Sequence, residues 1–175
     1  DLLDFSKLKH EELELHTRPT DVRAITDLVL MISMPLAQDK ELSLFNTIPE
    51  ELPFALADEN RLQQILHNLI GNAVKFTEHG RVRLRARVSG HEGSLWHLHF
   101  DIEDTGPGIP ENRIEDLFQP FRQLDDALSR KFGGTGLGLA VVKKIAEEHN
   151  ARIDLKNRET DGLVVGAQVS LSFQV

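Results

Sequence analysis

The residues with the greatest chemical potential lie on one amphipathic stretch, Asp58 to Phe76, "DENRLQQILHNLIGNAVKF". Leu62, Ile65, Leu66, Leu69, Ile70, Ala73 and Val74 recur at i, i+3, i+4 and i+7 and predict a helix with a broad core face. At about 100° per residue, Gln64, Asn68, Asn72 and Lys75 fall within an arc of roughly 80° beside that face. Amides at the rim of a core are partly dehydrated and need partners. Amide oxygens suit an oxygen-ligated Mg²⁺ and an ammonium suits phosphate oxygens, so the stripe fits a polyphosphate. An ordinary polar flank is the alternative.

"DTGPGIP", Asp104 to Pro110, ends an alternating strand in which Leu98, Phe100 and Ile102 share a face with Trp96. The next position on that face is Asp104. A carboxylate aimed at a core requires donors, and the exocyclic amine of a purine is one. Gly106 and Gly108 allow a flat ligand close to the backbone. A tight turn with Asp104 as its Asx cap remains the structural alternative.

A third cluster is "RKFGGTGLGLAVVKK", with Gly133, Gly134, Gly136 and Gly138 ahead of a helical pattern of Leu137, Ala140, Val141 and Ile145. No Lys-Ser or Lys-Thr follows, which excludes a P-loop, and Leu139 stands where a dinucleotide fingerprint has its third glycine. Backbone N–H groups at a helix start still offer an anion site. "LFQPFRQ" brings Phe118 and Phe121, candidate core anchors, and "RQLDDALSRKF" has the weak periodicity of a mobile lid.

These segments need positioning by a single core. The chain has 175 residues, 40% hydrophobic and 27% charged, with no cysteine and a net charge of -8. Those values suit one globular domain in a reducing compartment, the cytoplasm, and disfavour general affinity for nucleic acid or anionic membrane. No apolar run is long enough for a bilayer. "ELELHTRP" and "LSLFNTI" read as strands. Thr20 and Asp21 can cap a helix with apolar Val22, Ile25, Leu28, Val29, Ile32 and Leu36. "RVRLRARV" turns Val82, Leu84, Ala86 and Val88 inward and four arginines outward, opposite His97, His99, Asp101 and Glu103; "AQVSLSF" alternates likewise through Ala167, Val169, Leu171 and Phe173. The arginines read as a solvated sheet face, and His97 and His99 lack a third ligand for a metal. The expected class is α+β: a two-layer α/β sandwich whose mixed, mainly antiparallel sheet is covered on one face by three helices.

In order along the chain, N-L-x-x-N-A-x-K-F, D-x-G-x-G, F-x-P-F and G-T-G-L-G-L-A make this sequence resemble the catalytic, ATP-binding domain of bacterial sensor histidine kinases, within the GHKL superfamily that includes gyrase-type ATPases. The likeness extends over nearly all of the chain after Leu13. It implies Mg-ATP held between the long helices and a flexible lid. By the resemblance, Asn68 and Asn72 form the N box, with Asn72 the metal ligand, and Lys75 touches phosphate; these three carry catalysis. Phe76 lies beside adenine, Asp104 reads its amino group, and Gly106, Gly108 and Ile109 shape that wall. Phe118 and Phe121 form the F box, and Gly134, Thr135, Gly136, Leu137 and Gly138 the second glycine box.

The resemblance also bears on activity. ATPases of the superfamily place a glutamate base one turn before the first asparagine, and Gln64 stands there; an amide accepts no proton, which favours phosphoryl transfer over hydrolysis. None of the 8 histidines has the H-E-x-x-[TN]-P phosphoacceptor context, although Glu follows His10 and His91. The expectation is therefore a fragment that phosphorylates a histidine on a separate dimerisation domain, for relay to the aspartate of a response-regulator receiver. Residues 1–12, "DLLDFSKLKHEE", resemble the end of that dimerisation helix and look detached from residues 13–175. The parent would be a homodimer, with or without a membrane anchor, and the fragment a monomer. A regulatory nucleotide-binding module and an anti-sigma-type serine kinase are the alternatives.

Overall fold

A computed structural model describes residues 2–10, 14–90, 96–123 and 134–174. The helix opening the described chain, α1 (Leu2–His10), is followed by β1 (Arg18–Thr20), α2 (Val22–Gln38), β2 (Glu41–Asn46), β3 (Ala55–Ala57) and α3 (Glu59–Phe76). Then come β4 (His79–Ser89), β5 (His97–Asp104), the short α4 (Glu111–Ile114) with a 3-10 turn over Glu115–Phe118, α5 (Gly138–Glu148), β6 (Arg152–Thr160) and β7 (Leu163–Gln174).

The main sheet has the order β2-β4-β5-β7-β6, parallel between β2 and β4 and antiparallel elsewhere. Inward residues of β4, β5 and β7 (Val82, Leu84, Leu98, Phe100, Ile102, Leu171 and Phe173) pack with the apolar faces of α2, α3 and α5 in one core. This is the expected two-layer α+β arrangement. The alternation of the strands and the 3.6-residue period of the helices bring their apolar faces together.

On the outer face the arginines lie opposite the expected residues, with Arg83 across from Glu103, Arg85 from Asp101 and Arg87 from His99. Not all of that face is solvated. Glu103 is only 4% exposed, in ion pairs with both Arg83 and Arg85, while Asp101 is buried and accepts from Ser170 Oγ. A buried carboxylate persists where it is paired and hydrogen-bonded.

Several expectations need correction. The strand expected over "ELELHTRP" shrinks to Arg18–Thr20, because β1 pairs only with the three residues of β3. On α2, Val22, Ile25 and Val29 are buried as expected but Leu28, Ile32 and Leu36 are exposed; Thr26, Leu30, Ser33 and Ala37 complete the buried stripe, which is rotated toward that side of the helix. Asp21 alone is the N-cap, accepting from Ala24 N at 3.1 Å. Trp96 precedes β5, half-exposed beside Gly90, rather than joining the inward face. Helix α1 is not detached: Phe5 packs against the core and sits edge-on to Phe121, ring centroids 6.1 Å apart.

Candidate functional site

Both ends of α3 are pinned by long-range contacts. Asp58 caps the N-terminus: Oδ1 accepts from Arg61 N and Oδ2 from His16 N, while its own N–H donates to His149 Nε2 at 3.0 Å. At the other end Lys40 Nζ donates to the carbonyls of Val74, Lys75 and Thr77 at 2.8, 3.0 and 3.2 Å. An ammonium there satisfies orphan carbonyls and complements the negative end of the helix dipole. The helix is thereby held at the turn carrying Lys75 and Phe76.

The rim stripe of α3 opens onto a cavity of about 330 Å³. Asn68, Asn72, Lys75 and Phe76 line it along the helix, and Asp104, Gly108 and Ile109 from the loop after β5. Gly134, Thr135, Gly136 and Gly138 line it from the segment entering α5. Three of the four motifs, distant in sequence, thus converge on one space. Gln64 is not among the lining residues; its Oε1 accepts from Arg61 Nη1 at 3.0 Å.

Asp104 sits at the end of β5, where its Oδ1 accepts from Gly106 N at 2.9 Å and from Ala167 N at 3.1 Å. Arg158 Nη1 donates to its carbonyl oxygen at 2.8 Å. Burial nevertheless dominates and holds the carboxyl above its ordinary pKa of 3.8, against those two N–H donors and the Arg158 charge. The donors consume Oδ1, so the acceptor available to a ligand is Oδ2. Gly166 makes this possible: a Cβ there would fall 1.9 Å from the Asp104 carbonyl oxygen. Burial also pulls Lys75 below its usual 10.5, and its Nζ lies 5.1 Å from the Phe76 ring centroid.

The aromatic pair of F-x-P-F is placed differently from its neighbours. Phe118 is half-buried and Phe121 is 64% exposed, and neither lines the cavity; Leu117, Arg122 and Gln123 do. Phe121 has a left-handed φ of 63°, and its N–H donates to Gly136 O at 3.0 Å. Gln123 Nε2 donates to Gly134 O at 2.9 Å, and Arg113 Nη2 to Gln123 O at 2.7 Å. These bonds close the stem of the intervening segment. As core anchors the two phenylalanines are replaced by buried Leu117, because the 3-10 turn aims that side chain inward. Gly106 and Leu137 also lie outside the lining, Gly106 behind Asp104 and Leu137 fully buried under α5. Residues 124–133, the bulk of the predicted lid with Gly133, and His91 lie outside the described residues, as do residues 11–13.

Sequence reasoning missed Leu155, Asn157, Arg158 and Gly166, which β6 and β7 bring to this site. The alternation of Ile153 and Leu155 in "RIDLKNRET" is the signal for the missed strand; nothing local tells that Asn157 meets Ile109, 48 residues away.

A family model described as histidine kinase-, DNA gyrase B-, and HSP90-like ATPase matches residues 57–174. The signal transduction histidine-protein kinase BarA of Escherichia coli (strain K12) is 37% identical over 174 residues, covering 99% of this chain and 19% of BarA. The sensory/regulatory protein RpfC of Xanthomonas campestris pv. campestris is 38% identical over 175 residues, 99% of this chain and 24% of RpfC. The chain therefore spans only about a fifth to a quarter of these relatives. Among solved structures, full-length ShkA in complex with AMPPNP superposes with a TM-score of 0.82 at 33% identity, covering 98% of this chain and 34% of that one. The catalytic domain of histidine kinase ThkA, at 24% identity and a TM-score of 0.73 over 93% of this chain and 96% of that one, shares the fold. With three of its four motifs gathered on one cavity, the chain belongs to the histidine kinase-, DNA gyrase B- and HSP90-like ATPase family, and its relatives are sensor histidine kinases.

Proposed function

We propose that this domain binds Mg-ATP in the α3 cavity and delivers the γ-phosphoryl group to a histidine on a dimerisation domain, for relay to an aspartate on a response-regulator receiver. One observation carries the reading. Asp104, a carboxylate with Oδ1 spent on backbone donors, lines the same cavity as Asn68, Asn72 and Lys75. Such a cavity has an acceptor for an exocyclic amine and a cation with two amides for a polyphosphate.

The donor set fits the ligand. Among the described residues no three His, Cys, Asp or Glu side chains cluster as a metal site, so a cation here relies on amide and phosphate oxygens, as Mg²⁺ with nucleotides does. A Cβ on Gly134 would meet Lys75 Nζ at 3.1 Å and one on Gly138 would meet Asn68 Oδ1 at 3.4 Å, so the missing side chains keep space open beside those groups. When bound, Mg²⁺ neutralises phosphate charge and orients the terminal phosphate.

In this reading Asn72, with Asn68, presents amide oxygens to the metal, and Lys75 holds phosphate oxygens. Phe76, Asp104, Gly108 and Ile109 form the adenine end, with Gly106 fixing the Asp104 carboxylate through its N–H. Gly134, Thr135, Gly136, Leu137 and Gly138 form the phosphate-side stem, braced by the Phe118–Phe121 turn. The acceptor histidine nitrogen forms a bond to the γ-phosphorus as the bond to the β,γ-bridging oxygen breaks, releasing ADP. Gln64, an amide tied to Arg61, supplies no base for water. No helix among the described residues is long and apolar enough to cross a membrane, in keeping with action on the cytoplasmic side of a larger homodimeric kinase.

The test mixes the domain with radiolabelled ATP and a separately made dimerisation domain. Acid-labile, base-stable label on that partner is the expected result. ATP binding with no such label would leave a regulatory nucleotide module instead.

A further inference from the structure

Asn157 is a polar residue on the helix-facing side of β6, next in alternation after Ile153 and the cavity-lining Leu155. Its side-chain amide is fully engaged in one direction. Oδ1 accepts from Ile109 N at 2.8 Å and Nδ2 donates to Ile109 O at 2.6 Å. The amide thus pairs with the backbone of Ile109 as a neighbouring strand would, in a loop that joins neither sheet. The approach is close: a Cβ on Gly108 would lie 2.8 Å from Asn157 Oδ1, and Gly108 has a left-handed φ of +76°. The next residue, Arg158, holds the carbonyl of Asp104, just before a register shift between Arg158 and Glu159. A bulge beside a site redirects side chains, and here consecutive residues of one strand grip both ends of the Asp104–Ile109 loop.

We propose that Asn157 is a positioning residue for the adenine end of the site: its two hydrogen bonds to Ile109 fix the Gly108–Ile109 wall against β6 and so set the spacing between that wall and Asp104. The inference rests on the ATP-binding reading above. Among the described residues no hydrogen bond of the Asn157 side chain reaches α3 or the Gly134–Gly138 segment, so it acts on the cavity through the Gly108–Ile109 wall. Without the amide, Ile109 N–H and C=O turn to water, and the loop pays for ordering only when nucleotide binds.

The chemistry offers a test that a merely structural residue would not pass. Asn157→Asp keeps the size and the acceptor for Ile109 N–H but sets an anionic oxygen against Ile109 O. Protonation of the new carboxylate restores a donor, so acid repairs the variant. Asn157→Ala lacks both groups at every pH. Mg-ATP affinity, measured by calorimetry at about pH 8, is expected to fall roughly tenfold in both variants. At about pH 4, close to the ordinary aspartate pKa of about 3.9, the deficit of Asn157→Asp relative to wild type shrinks to about twofold, while that of Asn157→Ala stays near tenfold. Equal affinities of Asn157→Asp and wild type at the higher pH, or the same deficit for Asn157→Asp at both, would overturn the proposal.

Hydrogen exchange without nucleotide gives a second readout that does not depend on ATP. The Ile109 amide should exchange at least tenfold faster in Asn157→Ala than in wild type; equal rates sink the clamp. Failure of the wild type to bind Mg-ATP refutes the nucleotide reading and leaves the exchange result to decide the clamp.

Discussion

Replacing Asp104 with Asn tests the site at its most specific atom. Oδ1 is occupied by Gly106 N–H and Ala167 N–H, so in the proposed ATP-binding reading Oδ2 is the acceptor left for the adenine amine. The substituted amide meets two environments that both demand an acceptor, and it has only one oxygen. With that oxygen on the backbone donors, its NH₂ confronts the adenine amine; flipped, the NH₂ confronts two backbone N–H groups. Either orientation loses a charge-assisted hydrogen bond, worth about 2 kcal/mol, which is roughly 30-fold in Kd. Calorimetric titration with Mg-ATP reads it.

The pH dependence supplies a linked check. Burial raises the Asp104 pKa above 3.8, so falling pH protonates the carboxyl earlier than in an exposed aspartate. Wild-type affinity for ATP should then decline as pH falls toward that raised value, and Asp104→Asn should lack this component. The stability sign is opposite. With the folded pKa raised, the stabilising contribution is complete below 3.8 and lost as pH rises through the folded value, so at neutral pH the ligand-free variant should melt no lower than wild type by more than a few degrees. Unchanged ATP affinity in a folded Asp104→Asn protein would refute the adenine assignment.

Three further substitutions probe the rest of the site. Lys75→Met should weaken Mg-ATP about tenfold while leaving adenosine binding unchanged, by competition titration; equal loss for both would remove Lys75 from the phosphate end. Gln64→Glu should not raise ATP hydrolysis, since Arg61 engages this side chain away from the cavity, and a tenfold increase in phosphate release would show that the position does reach water. Gly166→Ala should cost about 3 kcal/mol and lower Tm by several degrees, because the new methyl overlaps the Asp104 carbonyl oxygen; an unaltered melting curve would contradict the packing.

Much of the architecture follows from local pattern. The apolar spacing along α3 identifies its core face residue by residue, and its N-cap Asp58 is where the pattern begins. Phase along β5 places Asp104 on the cavity side, since a strand reverses direction at every residue whatever its partners. Strand β6 is hard to read because its partly exposed residues blur the alternation, and on α2 only Val22, Ile25 and Val29 of the expected stripe are buried, because Leu28, Ile32 and Leu36 share the chemistry of the buried Val29 and Leu30. Apolar residues are not obliged to be buried, so hydropathy alone could not choose the phase.

The sequence by itself determined which residue types could meet a nucleotide: amides and a lysine one or two helical turns apart, a lone acid at a strand end, glycines before a helix. Periodicity and residue chemistry are local, and a reader of the chain has both. Only the tertiary structure decided which oxygen of Asp104 remains for a ligand, that Leu117 rather than Phe118 and Phe121 is buried, and that Asn157 of β6 grips Ile109. Those facts depend on strand order and register, which bring Ala167 and Asn157 beside a loop 63 and 48 residues away in the chain, and pairings at such separation leave no local trace in composition or spacing.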